Sequence, residues 1–587
     1  VAASASGTAE ARCSVTVADI PVEALAFAGD SGLTQIVSAG SDYTLIVSYS
    51  PATTSDREIL WKCSNPDMAT VSEQGQGQAT VTFATSAAGA VTVTATSAAN
   101  ASCSASRQFF VRGDSELVLL PEETLYAGRK ALWRFNTQAY PDATHIIWNL
   151  AGCSYTGPEA SFAAEQGGEN TMTVTATVGD VPISFALDFQ VQEWYLNEII
   201  PGANPRNTYP VFNKGATRAY FVTRGERRLY EINLEEGRLG WMFDMNDGKN
   251  DNGGDICVNP LSGDIYCSNQ MHVFCLAEDG HKRWQIDVPT GGSASSLAGC
   301  GPGMSNDCKV VFMPLTDKRF VAVDAATGTI LDSFGTETAH LQFAVYGDNN
   351  IVLTHSASGG TNAIKFVGFS GGKFSEVTAI DSPSADPTDI TSPAVSPDQK
   401  KAWFPCNGGL MVEVDLEARS ARASAELGGG YLQGACLLPS SGWMFFASQQ
   451  KARVSRVQAS AVASGAQSMV CYTNGSDNYL NFTTVACDTE GNVYFFIKED
   501  GTGNSVFYRL AAEGSRWQPE PLAVIAKQNN DPQGFFNFAG GYLIGGGGNN
   551  SRNQLLVRCL DAQRAPGWSG PGGDACATKN ANIAYGL

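Results

Sequence analysis

The C-terminal two-thirds of the chain repeats one pattern. A short apolar strand, a Pro/Asp/Gly turn, a second apolar strand and a polar loop lead into a strand that ends in a Gly turn, often followed by Trp. One copy runs from Ile256 to Trp284 (ICVNPLSGDIYCSNQMHVFCLAEDGHKRW) and a later one from Thr484 to Trp517. One small sheet of this kind cannot bury both of its faces, so the units must stack, and a fixed four-strand repeat predicts a β-propeller. The second-strand signal occurs eight times, from ATRAYFVT to GGYLIGG, each followed by a third-strand signal such as RLYEINLEEG or RFVAVDAATG. Spread over residues 193–587, eight units take about 49 residues each, enough for four strands and their loops.

At 587 residues the chain is too long for one ordinary core. Residues 12–112 read as one all-β module, with strands at Tyr43–Ser50, Glu58–Ser64, Ala79–Thr85 and Ala90–Ser97. Trp61, taken to lie on a middle strand, is the expected core anchor. Residues 113–192 repeat the plan, with Trp148 where Trp61 stood, and residues 1–11 read as a flexible tether. The expected fold class is therefore all-β: two Ig-like β-sandwiches followed by an eight-bladed β-propeller over residues 193–587. For the last blade, Glu193–Ile200 (EWYLNEII) is expected to supply the outer strand, in preference to the tail Ala575–Leu587.

In both N-terminal modules a Trp-bearing strand is paired with a hairpin of TVTVTAT type. This pairing resembles the PKD-like and bacterial Ig-like domains of secreted Bacteroidetes proteins, which implies spacers that hold a larger domain away from a cell surface. In the repeat region Trp241, Trp284, Trp517 and Trp568 each follow the third-strand turn by three or four positions, as in Leu234-Glu235-Glu236-Gly237…Trp241 and Asp279-Gly280…Trp284. A Trp there can wedge between neighbouring sheets. The pattern resembles the quinoprotein (PQQ-type) propeller repeat over Glu193–Leu587. That family's redox chemistry uses two adjacent cysteines against the quinone. No two cysteines are adjacent here, so the resemblance implies the fold without a PQQ cofactor.

The formal charge of −20 and pI near 4.7 repel phosphate backbones and anionic lipid, so neither nucleic acid nor a lipid surface is an expected partner. No apolar stretch is long enough for a transmembrane segment. The opening VAASASGTAEA has neither the basic end nor the apolar centre of a signal peptide. The expectation is a mature or trimmed form of a secreted or outer-membrane, cell-surface bacterial protein, with room for a lipid anchor upstream. Of the 15 cysteines, Cys257, Cys267 and Cys275 fall in strands as small buried residues, and Cys300 and Cys308 flank a loop as the candidate local disulfide. Five histidines without ligand spacing give no zinc site.

Three motifs carry possible chemistry. Gly368–Gly372 (GFSGG) matches the serine-hydrolase elbow, which works only as a strand-to-helix turn; here it falls at a hairpin position and reads as a Gly-rich turn. Ser396–Trp403 (SPDQKKAW) is a degenerate sialidase Asp box without a second evident copy, and reads as a turn between strands. Asp244, Asp247, Asp251 and Asp255 crowd one Gly/Asn-rich loop, a composition that could wrap calcium and that exposed turns also use.

The connections into four first strands share a further pattern: HLQFAV, YLQGACLL, YLNFTTVA and PQGFFNF. If first strands line a channel, Gln342, Gln433, Asn481 and Gln533 gather amides at one mouth, and His340, Tyr431, Tyr479 and Phe535 add flat rings. Neutral amides and rings suit a glycan or a protein ligand better than a phosphate. The competing reading is side chains that satisfy backbone groups at the rim. Three functions follow. A non-catalytic binding protein on spacers is the leading one. A polysaccharide lyase or hydrolase would need carboxylates or a base at the mouth, for which Asp386, Asp389 and His340 are the loop candidates. A structural scaffold of an envelope complex would show a plugged channel.

Overall fold

A computed structural model of the chain describes residues 2–3, 10–11, 19–30, 32, 34–201, 209–223, 227–245, 256–269, 271–288, 301–336, 341–355, 363–375, 377–383, 393–428, 432–438, 440–448, 453–473, 485–498, 504–511, 520–525, 535–549, 552–565, 574, 577 and 579–583. They form two compact units. No helix among the described residues is long and apolar enough to cross a membrane.

The first unit spans Val1–Leu125, Lys130–Ala164 and Gly168–Val191 and holds two β-sandwiches. Within the expected tether, Ala2–Ala3 pairs with Glu10–Ala11. In the first sandwich one sheet orders Gln35–Ser38, Ser104–Arg112, Gly89–Ser97 and Ile59–Cys63, and the other Ala24–Phe27, Asp42–Ser50, Gln78–Phe83 and Ala69–Gly75. The alternation in Gly89–Ser97 shows why: Val91, Val93 and Ala95 are buried while Thr92, Thr94 and Thr96 are half-exposed. β-Branched residues on both faces fit a pleated strand with one wet side. Phe109 meets Phe83 edge-on at 5.2 Å in the centre. Trp61 is not that centre: Ile59–Cys63 is an edge strand of its sheet, and Trp61 is half-buried against Phe27.

In the second sandwich Thr144–Leu150 lies between Cys153–Thr156 and Gly168–Val178, so Trp148 is fully buried and its Nε1 donates to the Gly157 carbonyl at 2.9 Å. The facing sheet (Val118–Leu119, Ala131–Phe135, Glu159–Phe162) adds Trp133, stacked on Phe162 at 5.6 Å.

The second unit carries, among the described residues, eight four-stranded antiparallel sheets. Their first strands are Val211–Phe212, Ile256–Val258, Gly303–Met304, Leu341–Tyr346, Ala394–Val395, Leu432–Leu438, Val485–Cys487 and Phe535–Ala539. Seven sheets take their four main strands in sequence order. The eighth ends with Leu196–Pro201 laid against Arg552–Cys559, so the strand that precedes the repeats closes the last sheet. Described first strands are buried almost throughout, whereas fourth strands such as Arg238–Asp244 alternate toward solvent. First strands are therefore innermost.

Each sheet shares an apolar core with the next. Val211 and Leu229 pack with Ile265 and Cys267, and Tyr266 with Val311 and Val321. Phe312 and Phe320 pack with Phe343 and Leu353. One core runs from Val352 and Phe366 through Trp403 and Val412 to Leu437 and Phe446. Phe445 then packs with Phe495, Tyr494 with Phe538, and Ile544 and Leu555 return to Phe212 and Ala219 of the first sheet. The sequence of cores closes on itself, which is the defining feature of a β-propeller.

Two tryptophans tie consecutive sheets together. Trp241, on the fourth strand of the first sheet, donates Nε1 to the Glu278 carbonyl of the second sheet at 3.0 Å. Trp284 does the same to the Ala325 carbonyl of the third sheet, also at 3.0 Å. The turn glycines beneath, Gly280 and Gly328, have positive φ, and a Cβ on either would fall within 2.7 Å of the indole. Glycine is required there both by the left-handed backbone and by the ring above it. Trp517 and Trp568 lie outside the described residues.

GFSGG forms a tight hairpin, Phe369 pairing with Phe374 and Ser370 with Lys373 around Gly371 and Gly372. This is not a strand-to-helix elbow, so the serine-hydrolase reading has no geometry to rest on. Cys308 is a buried free thiol, against the expected bridge to Cys300, which lies outside the described residues.

Candidate functional site

A propeller's first strand turns its side chains toward the two neighbouring sheets and its backbone edge toward the axis, because side chains leave a strand perpendicular to the sheet. Leu341, Phe343 and Val345 belong to the core shared with the third sheet and Ala344 to the core shared with the fifth. Gln342 is on the Ala344 side of that strand and only 2% exposed. It is packed between sheets and not presented to a mouth, which corrects the expectation for this residue. Gln433 and Phe535 lie on first strands, paired with Ala447 and Gly546 on their second strands. His340, Tyr431, Tyr479, Asn481 and Gln533 lie outside the described residues, as do Asp386 and Asp389. Of the acidic loop only Asp244 is described. It pairs with Arg228 at 3.8 Å, and Asp247, Asp251 and Asp255 lie outside the described residues. Among the described residues no group of three or more His, Cys, Asp or Glu is placed to hold a metal.

The inner backbone edges are met instead by the C-terminal segment. Arg564 pairs with Asp488 in an antiparallel bridge, and the Ala565 N–H donates to the Cys487 carbonyl at 3.0 Å. The Arg564 guanidinium, fully buried, donates to Asn537 Oδ1 at 2.9 Å. Further on, Asn580 forms a parallel bridge with Val345: the Val345 N–H donates to the Lys579 carbonyl at 2.8 Å and the Ala581 N–H to the Val345 carbonyl at 2.9 Å. Lys579 Nζ donates to the Gly301 carbonyl at 2.9 Å and lies 5.0 Å from the centre of the Phe343 ring. The segment thus reaches first strands of the third, fourth, seventh and eighth sheets, satisfying edge groups that would otherwise face an open pore.

Beside the end of this segment, where first strands turn into second strands, lies a cavity of about 590 Å³. It is lined in part by a set of interlocked amides. Asn582 Nδ2 donates to Asn306 Oδ1 at 2.9 Å and to the Gly347 carbonyl at 2.8 Å, while Gln399 Nε2 donates to Asn582 Oδ1 at 2.7 Å. The Gly347 N–H donates to Gln399 Oε1 at 2.6 Å, and Asn306 Nδ2 donates to the Gly347 carbonyl at 2.8 Å. Tyr346, Asn350, Asp348, Asp398 and the Lys400–Glu417 pair (3.7 Å) also line it.

The Ser396 hydroxyl and the Lys400 N–H both donate to Asp398 and hold its carboxyl below the ordinary carboxylate range. Burial pushes the Tyr346 phenol up, so it stays a neutral hydroxyl. Three acidic side chains, Asp348, Asp398 and Glu417, thus stand beside one basic side chain, Lys400. Such a lining can accept hydrogen bonds from hydroxyls, beside amides already oriented by one another.

Sequence reasoning missed this groove, although a signal was present. Ser396-Pro397-Asp398-Gln399-Lys400 and Ser305-Asn306-Asp307-Cys308-Lys309 share the spacing S-x-D-x-K. They fold alike: Ser305 Oγ donates to Asp307 at 2.7 Å and accepts from the Val310 N–H at 3.0 Å, as Ser396 does with Asp398 and Lys401. These two turns flank the fourth sheet and present Asn306 and Gln399 to Asn582.

Residues 33–105, the greater part of the first sandwich, match the family described as bacterial Ig-like domain (group 2). No curated protein matches the chain in sequence. Among solved structures the chain is similar to BamB from Moraxella catarrhalis, at 11% identity and a TM-score of 0.41 over 61% of this chain and 98% of that one. It is similar also to the Dos1 propeller, at 9% identity and a TM-score of 0.42 over 61% and 94%. A third is Kuenenia stuttgartiensis hydrazine synthase, at 11% identity and a TM-score of 0.39 over 53% and 97%. The chain is an all-β protein with an Ig-like domain at its N-terminal end and a β-propeller in its second unit. The propeller assignment rests on the sheet order and the closed run of cores.

Proposed function

We propose that the propeller, with its eight sheets as eight blades, is a non-catalytic binding module for a neutral, hydroxyl-rich ligand, a carbohydrate. The Ig-like modules serve it as spacers at a bacterial cell surface. The observation that carries the ligand class is the groove between the third, fourth and fifth sheets. Oriented amides, carboxylate acceptors and a neutral tyrosine are the groups that pair with sugar hydroxyls, and a mainly acidic lining disfavours phosphate or sulfate. The bacterial Ig-like match supports the spacer role.

The occupied inner edges favour a second reading for the axis itself, that of a scaffold element. For that reason the ligand is assigned to the groove beside the axis.

A glycan array on the purified protein, repeated with Asp348→Ala and Glu417→Ala, tests the assignment. Neither residue packs in a core, so both variants should fold, and glycan binding should weaken at least tenfold. Binding that survives in both but is lost in Tyr431→Ala and Tyr479→Ala would move the site to the expected rim. No glycan binding in any form would remove the carbohydrate reading.

A further inference from the structure

Cys436 and Cys487 lie on the first strands of the sixth and seventh sheets, fully buried in one shared core. Their Sγ atoms are 2.8 Å apart. That is well inside the ~3.5–4 Å at which unbonded heavy atoms rest, and less than ~1 Å from the ~2.05 Å of a disulfide. The third cysteine of the same core, Cys471, turns its thiol to the Met469 carbonyl at 3.7 Å. The strands also have suitable anchorage, since both are held in their own ladders, to Phe445 and to Val493.

We infer that Cys436 and Cys487 are a disulfide site that staples two consecutive sheets at their innermost strands. The oxidant is a small-molecule or protein disulfide, R–S–S–R. The thiolate of one cysteine attacks it, forming a mixed disulfide and releasing one R–S⁻, which takes up a proton. The second thiolate then displaces the other R–S⁻. Two S–H bonds are lost, one S–S bond forms between the cysteines, and R–S–S–R is reduced to two R–SH. Because both sulfurs are buried in the folded ring, exchange occurs before the sixth and seventh sheets close on each other, and the finished bond is shielded from reductant. The inference is independent of the ligand proposed above.

The test is to unfold the full chain, refold it in a buffer of oxidised and reduced glutathione, quench with acid, alkylate in denaturant with iodoacetamide, and digest without reduction. The expected result is a linked peptide pair carrying Cys436 and Cys487, about 2 Da lighter than the sum of its parts. Reduction before digestion should abolish it. Recovery of both cysteines in alkylated form, or a link from either one to Cys471, overturns the inference. As a second measurement on folded protein, the bond should persist in dithiothreitol under native conditions and be lost once urea is added. Loss at the same rate in both conditions would contradict the buried placement.

Discussion

Gly328→Ala would press a methyl group into the face of Trp284, and its cost can be built from the structure. The backbone there has φ of +74°, which costs a non-glycine residue roughly 1–2 kcal/mol. The new Cβ would stand 2.7 Å from Trp284 Cδ2, an overlap that only movement of the ring can relieve, at about 1–3 kcal/mol. Movement also strains the bond from Nε1 to the Ala325 carbonyl and the contact with Tyr266, whose ring centre is 5.9 Å away. The substitution should therefore cost about 2–5 kcal/mol. Trp284→Ala alone should cost about 3–5 kcal/mol as a buried aromatic truncation.

In the double variant the methyl meets no ring, so only the backbone cost is added to the truncation. The pair should be less destabilised than the sum by about 1–3 kcal/mol. Urea titration followed by far-ultraviolet circular dichroism gives the totals. Because a chain with several cores does not unfold in one step, hydrogen exchange in Lys282–Asp287 and Arg319–Asp324 supplies the local reading. Single costs that add to within about 0.5 kcal/mol would show that ring and turn do not touch, and would refute the wedge as the device that joins these sheets.

Ile200, on the closing strand and 4% exposed, should cost about 2–5 kcal/mol when replaced by alanine, with faster exchange in Arg552–Cys559 before the other sheets; protection unchanged there would contradict closure by this strand. Asn580→Ala strands the Met304 carbonyl that its Nδ2 serves at 2.8 Å, and should lower stability by about 1–3 kcal/mol and expose the C-terminal segment to limited proteolysis. Asp398→Asn should destabilise at neutral pH and lose that effect in acid. The folded carboxyl is depressed, so its contribution is complete above the ordinary carboxylate value of about 3.9 and disappears as pH falls through the folded value. Thermal midpoints of the two proteins should converge as the pH is lowered through the folded carboxyl's depressed value, and a constant gap would contradict the hydrogen bonds assigned to Asp398.

The parts of the fold legible in the sequence are those written in local pattern. Strand alternation located four of the eight strands of the first sandwich, those with the longest clean alternation, and missed shorter ones such as Ala24–Phe27 and Gln35–Ser38; the turn-to-Trp spacing located the wedges at Trp241 and Trp284. The lead-in EWYLNEII was legible as the closing strand because it matches no unit of its own. Trp61 misled, since an aromatic in a strand does not reveal whether that strand is central or at an edge. Gln342 misled for a different reason: a residue on an inner strand was assumed to face the axis, whereas strand geometry aims it at a neighbouring sheet. The groove was hidden because its lining joins Asn306, Gln399 and Asn582, which no local window contains. Only the duplicated S-x-D-x-K spacing pointed toward it.

The eighth sheet joins Asn197 to Gln554, positions 357 apart in the chain. During synthesis, the segment around Asn197 therefore leaves the ribosome long before its partner strand exists. It must wait with a bare edge and an uncovered Leu196 and Ile200 until Arg552–Cys559 has been made. A cell producing this protein has an interval in which a sticky, half-built ring is exposed, and a chaperone or a brisk finish to translation is what stands between that interval and aggregation.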